Sequence, residues 1–339
     1  MDSTEKIEQQ LVEQQEINNQ IIRQLILNMD RMNQIETELL YVKMRNENLK
    51  YEILGSLNIE TDYFFPQFRD IQDTIEDIID NKKSLARFGD ADFGILFCRE
   101  REGIKYQSLN EKLSNRLREV LHSNHPKLLV GIADNYGSLE KYTDLAADGI
   151  RSYMTTSGIR KAHEDVLERN RIYENAYISR PYVMYRDNQT EAPRERFDDL
   201  RRIWKDREVV IIEGSQTRMG VGNDLLEGAK NIRRILAPAT NAFDKYDDIL
   251  NVALEFAQKD TLFLIALGAA AEVLAYDLTI AGYQAIDIGQ VDIEYEWFLK
   301  GKGERIEVPY KYNNEVDGGE NVEEFHDEAY ESQILRVIS

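Results

Sequence analysis

The chain has 339 residues, 42% of them hydrophobic, enough for one large core or two modest ones. Its 62 acidic residues outweigh 42 basic ones to give a net charge of −20, which repels nucleic acid and anionic membrane at long range and argues against either as a partner. One cysteine, Cys98, excludes an internal disulfide and reads as a buried thiol; the histidines show no metal-ligand spacing, and no export signal or membrane-length apolar run is present, which predicts a cytoplasmic protein.

Residues 1–57 contain no proline and a single glycine, Gly55, and follow a heptad. Placing Leu11, Leu25, Met32, Leu39 and Ile53 at a, with Ile7, Ile21, Ile35, Val42 and Leu49 at d, makes ten of fourteen core positions apolar. Asn18 and Asn46 take the remaining a positions, where a buried amide fixes register at a cost in stability and favours two strands. The spacing predicts a parallel coiled-coil homodimer, which could also recruit another chain.

Beyond a short acidic helix over 70–81 the pattern changes. Five nearly continuous apolar runs, Leu128–Ala133, Val209–Gly214, Arg233–Pro238, Leu262–Gly268 and Ala285–Gly289, read as strands buried on both faces. Helical patterns over 110–122, 224–231, 242–258 and 270–281 separate them, which predicts an α/β fold, a mostly parallel sheet with helices on both faces. The Arg- and Tyr-rich stretch 151–202 breaks the rhythm and is expected as a lid or insertion. Residues 58–310 form the expected catalytic domain, and 311–339 an acidic tail or closing helix.

In open α/β sheets ligands gather where strands end. The run Ser84–Leu96, SLARFGDADFGIL, opens into Arg87, Phe88 and Gly89 and then places Asp90 and Asp92 two apart. If extended, both acids point one way and could reach one Mg²⁺ or Mn²⁺, since hard cations take carboxylate and diphosphate oxygens. After the 209 strand, Glu213 precedes a loop with Arg218, Gly220, Gly222 and Asn223. A glycine loop feeding a helix is an anion site with an Arg fork beside it; an ordinary loop capped by Asn223 fits equally. Gly268 sits among small residues at another strand-to-helix turn, and Asn241 follows the 233 strand, where it caps a helix or touches a ligand. In DIGQVDIEYEWFLKG, Asp292, Glu294 and Glu296 share a face if extended, while Asp292 and Glu296 are one turn apart if helical.

Taken in order, RFGDAD, RPY (180–182), VVIIEGSQTRMGVGNDLL, RRILAPATNAFDKYDDIL, LIALGAAAEVLAYDL and GYQAIDIGQVDIEYEWFL resemble the bacterial GT-D-fold glycosyltransferases from about Ser84 to Gly301. The resemblance implies a Rossmann-like sheet, a UDP-sugar donor, and a divalent metal held by an Asp-x-Glu motif after the first strand. It also implies acceptors among bacterial surface glycans and adhesin glycoproteins. Here the motif is Asp90-Ala91-Asp92, one methylene shorter, and Gln290 stands where the resemblance leads to a histidine, so that position cannot act as a base. The catalytic set expected on this reading is Asp90 and Asp92 on the metal, with Glu294, Glu296 or Glu213 as base. Arg87, Gly89, Glu213, Arg218, Gly220, Asn223, Asn241 and Gly268 would surround the donor. The competing reading is a non-catalytic sugar-nucleotide-binding or scaffold subunit; a metal-dependent phosphohydrolase lacks the usual ligand set. The coiled coil is no part of the family pattern.

Overall fold

The computed structural model describes residues 3–57, 62–99 and 106–339, with side chains of the first helix from residue 14 on. The side chains of heptad positions Ile7 and Leu11, and the boundary at 58, lie outside what is described. The first helix, α1 (Ser3–Leu57), runs 55 residues, roughly 80 Å at 1.5 Å per residue.

Among the described residues, nine strands form one sheet, in the order β1 (Gln67–Phe68), β4 (Ile172–Asn175), β3 (Leu128–Ile132), β2 (Ser84–Phe88), β8 (Gln284–Asp287), β7 (Leu262–Ala266), β5 (Glu208–Gly214), β6 (Asn231–Ala237) and β9 (Ile334–Val337). Every paired neighbour is parallel, as continuous apolar strands require when helices cover both faces. Alternation sorts the side chains. Ala86, Phe88, Val210, Ile212, Phe263 and Ile265 pack under α4 (Glu111–Leu121), α8 (Tyr246–Phe256) and α9 (Ala270–Ile280). Leu85, Val209, Ile211, Leu262 and Leu264 face the other way, under α2 (Ile71–Asp80), α7 (Ala192–Arg201) and α10 (Val291–Lys300). The chain builds outward from β2 through β3 to β4, then crosses to β5 and β6 and returns through β7 to β8 beside β2. That reversal opens a crevice at the carboxyl ends of β2 and β8.

Several expectations are corrected. Residues 151–202 are no separate lid, since they contribute β4 to the sheet between β1 and β3. The 224–231 stretch forms turns rather than a helix, because Gly220, Gly222 and Gly228 all take positive φ and break the run. Residues 311–339 are not a free tail. Lys311 and Asn313 are fully buried, and α11 (Glu328–Ser332) leads into β9, which pairs with β6. Cys98 is exposed: α3 (Asp90–Leu96) has ended before it, and a φ of 53° turns the chain outward.

On the α4 side, α3, α5 (Asp144–Thr155) and α6 (Ile159–Val166) meet around His163, whose ring bridges the hydroxyls of Tyr136 and Tyr153 at 2.6 and 2.8 Å. Burial, helped by Arg160, pushes the imidazole down to about 3. Between the ordinary imidazole value of 6.5 and that point the unfolded chain binds a proton that the native state refuses, so stability falls as pH drops through this window. The slope from this group approaches about 1.4 kcal/mol per pH unit. His163→Gln keeps polar contacts without titrating; urea midpoints near pH 7 and about pH 4.5 should therefore converge in the variant relative to the native chain.

Candidate active site at the carboxyl edge of the sheet

A cavity of about 1040 Å³ collects the ends of seven strands. Arg87 and Gly89 come from β2, Ala133 from β3, Ala176 from β4, Gly214 from β5, Pro238 from β6, Ala266 and Gly268 from β7, and Asp287 and Gly289 from β8. Its outer wall is supplied by α1 and α5, through Leu40, Tyr41, Met44, Leu145 and Ile150.

The two acids of the 90–92 stretch are not on an extended run. Gly89 is the N-cap of α3, so Asp90 opens the helix and Asp92 sits two residues on, well round its axis. The Asp92 carboxylate accepts from the Gly89 N–H at 2.8 Å, which satisfies an orphan amide and places negative charge at the positive end of the helix. Asp90 accepts from the Ala91 N–H at 2.9 Å. Both line the cavity.

Behind them lies a charge cluster that sequence reasoning did not assemble. Arg87 donates through Nη2 to Asp287 Oδ1 at 2.7 Å and through Nε to the Asp287 carbonyl at 2.7 Å. Gly289, at φ 51°, lets the guanidinium in, because any side chain there would collide with it. Asp287, Asp92 and Glu272 of α9 are all buried, and Glu272 Oε2 has no hydrogen-bond partner. Burial pushes all three carboxyls up; Arg87 pulls Asp287 back toward the charged form, while Asp92 and Asp287 push Glu272 further up. Among the described residues three acids thus face one cation. Tyr106 completes the wall, its ring against Gly268. The signal for Glu272 was present: it is the lone charge between Leu262 and Tyr276. Asp287 was legible only as a strand-tip acid.

The other predicted residues have structural work. Glu213 is buried between Arg234 (2.6 Å) and the Met219 N–H (2.7 Å), away from the cavity. Glu294 accepts from the Tyr182 and Val183 amides, both at 3.1 Å, and so pins the Arg180–Tyr182 segment. Because 291–300 is helical, Asp292 and Glu296 stack one turn apart, and Lys311, fully buried, reaches both at 2.6 and 2.9 Å. Asn223 donates to the same two acids, and the Gly220 N–H to Asp292 at 2.8 Å. Arg218 points to the Tyr310 and Glu323 carbonyls, and no helix follows its loop, so the expected anion fork is absent. Asn241 stands at the N-cap of a 3₁₀ turn (Ala242–Lys245), but its side chain does not cap it; its Oδ1 accepts from the Ser108 N–H at 2.7 Å. Arg180, by contrast, lines the cavity, held through both terminal nitrogens by Glu315 at 2.5 Å.

Among the described residues no group of three His, Cys, Asp or Glu is arranged to hold a metal, and no helix is long and apolar enough to cross a membrane. The excess of buried carboxylate beside Asp90 and Asp92 nevertheless suits a hard dication, which needs only one or two protein carboxylates when diphosphate and water complete its shell.

A parallel sheet whose reversed strand order gathers charged residues at one edge defines a doubly wound α/β domain of the ligand-binding kind. The chain belongs to the glycosyltransferase family of GT-D fold, whose model matches residues 85–316. It is 35% identical over 277 residues to the probable glycosyl transferase Gly of Streptococcus gordonii, covering 79% of this chain and 38% of that protein. To glycosyltransferase GlyD of Streptococcus pneumoniae serotype 4 (strain ATCC BAA-334 / TIGR4) it is 32% identical over 276 residues, 80% of this chain and 32% of that one. The match thus spans well under half of these relatives. A solved structure described as a new glycosyltransferase (DUF1792) from Streptococcus sanguinis superposes with a TM-score of 0.74 at 32% identity, covering 81% of this chain and 100% of the other. Another, of a domain of unknown function 1792 described as having a distinct glycosyltransferase fold, gives a TM-score of 0.74 at 32% identity, over 81% and 96%.

The Lys311 network tests the structural assignment of Asp292 and Glu296. Lys311→Met strands two buried acids and should destabilise the fold by about 3–5 kcal/mol in urea unfolding. Adding Asp292→Asn and Glu296→Gln should recover most of the loss.

Proposed function

We propose that this chain transfers a hexose from a nucleotide diphosphate sugar to a hydroxyl of a glycan or glycoprotein, of the surface-glycan or adhesin kind. A UDP-sugar is the donor class, by resemblance to the family. The observation that carries the reading is the convergence of seven strand ends on one cavity whose inner wall holds Arg87, Asp90, Asp92, Glu272 and Asp287. The donor's diphosphate faces Asp90 and Asp92, the residues that would hold Mg²⁺ or Mn²⁺. A bound dication supplies neutralisation of the charge that develops on the departing diphosphate.

The protein's own groups do the remainder. Asp287 fixes the Arg87 guanidinium in place, and Glu315 does the same for Arg180, so two oriented cations stand at the wall without reorganising. For an inverting transfer, the acceptor oxygen bonds to the anomeric carbon as the carbon–oxygen bond to diphosphate breaks, and the hydroxyl proton needs a base. Glu213, Glu294 and Glu296 are committed to buried contacts. Among the described residues Glu272 is the carboxylate at the wall with an oxygen that makes no hydrogen bond, and it is assigned this role; because burial and Asp92 raise its proton affinity, it acts as base only in its ionised form.

The test uses a panel of nucleotide sugars with Mn²⁺. Asp90→Asn together with Asp92→Asn should abolish metal-dependent nucleotide release, and full activity in that variant refutes the metal role. Glu272→Gln should lower kcat by roughly 10²–10⁴-fold with donor affinity in calorimetry nearly unchanged. Donor binding without any turnover in the native chain would instead support the non-catalytic subunit.

A further inference from the structure

The family model begins at residue 85, so α1 lies outside it, and the helix has two faces with different fates. One face docks on its own domain. Met44 and Asn48 are buried, Arg45 pairs with Asp148 through Nη2 at 2.6 Å, Glu52 with Arg151 at 2.8 Å, and the Arg160 guanidinium lies 3.5 Å from the Tyr51 ring centroid. Thr37, Leu40, Tyr41 and Met44 on this side wall the cavity. In the heptad these are b, c and f positions, with the flanking g positions carrying the ion pairs.

The a and d positions lie about half a turn round the helix from f. Met32, Ile35, Leu39 and Val42 there are 60, 63, 65 and 63% exposed, and Leu49 and Ile53, close to the docked end, are still 49 and 47% exposed. Docking has left an apolar seam in water, interrupted at Asn46. The charges beside it say what covers it. In a parallel, in-register pair each g residue meets the e residue five places on in the other chain. Arg31 then faces Glu36 of the second copy, and Glu38 faces Lys43 of the second copy; all four side chains are exposed. Further toward the N-terminus the same pairing sets Ile17 against Ile22 of the second copy, both exposed and apolar.

We infer that the seam of α1 pairs, parallel and in register, with the seam of a second copy of this chain, and that each cavity opens on the outer side of the resulting two-stranded rod. The outward placement follows because the cavity wall and the seam occupy opposite faces of one helix. Two sites are thereby held at a fixed separation, which raises the effective concentration of one for an acceptor engaged by the other. The inference rests on α1 alone and stands or falls independently of the reaction.

Sedimentation equilibrium of the full chain tests it. The native protein should have twice the chain mass at micromolar concentration. Ile35→Asp with Val42→Asp should give the chain mass with an unchanged circular dichroism spectrum from the α/β domain, since both positions are exposed in the single chain. Arg31→Glu should raise the dissociation constant roughly tenfold by setting like charges opposite, and Arg31→Glu with Glu36→Arg should restore it. A native chain that stays monomeric at all concentrations, as a lipid surface or a foreign helix on the seam would require, overturns the inference. So does a dimer indifferent to the seam substitutions, or one whose affinity ignores the Arg31 and Glu36 exchange.

Discussion

The carboxyl edge of this sheet is governed by charge balance in a place with little water. Arg87 leaves β2 and reaches across to Asp287 at the end of β8, and that one ion pair joins the two strands at which the sheet's order reverses. Asp92 and Glu272 are buried against the same pair and add two acids with no further cation among the described residues. An uncompensated buried carboxylate costs several kcal/mol, so the arrangement persists only by holding protons or by recruiting positive charge from a ligand. The geometry of α3, the glycine at 289 and the placement of Tyr106 all serve to bring these groups together.

A second network, of similar composition, has the opposite outcome. Asp292 and Glu296 meet Lys311, Asn223 and the Gly220 amide, so their charges are matched and their hydrogen bonds made. This network ties the loop after β5 to α10 and to the segment after residue 310. Arg180 with Glu315, and Arg234 with Glu213, are closed pairs of the same kind. The contrast is one of charge balance: Asp292 and Glu315 reach the cavity already paired, whereas Asp92 and Glu272 stand beside a single Arg87–Asp287 pair.

The helix α1 adds a constraint that the α/β domain lacks. It is fastened to α5 by Arg45–Asp148 and Glu52–Arg151, and it closes one side of the cavity with Tyr41 and Met44. Access to the strand tips therefore passes between an acidic inner wall and an apolar outer one, an arrangement suited to a donor and an acceptor of different character.

The sequence by itself determined the long N-terminal helix, five strands of the sheet and their mostly parallel direction, because heptad spacing and unbroken apolar runs report burial directly. It also marked Arg87, Asp90 and Asp92, whose charges have no business in a buried strand end. It did not read β1, β4 or β9, which are too short or too polar to stand out, and it took Cys98 to be buried. It singled out Glu213, Glu294 and Glu296 and passed over Glu272, because proximity to strand tips cannot show which acid has a partner. Only tertiary structure decides that, since the cation that matches an acid comes from a distant element: Lys311 for Glu296, Arg234 for Glu213. Among the described residues Glu272 has no such partner, and that is a property of three-dimensional packing, invisible to any local pattern.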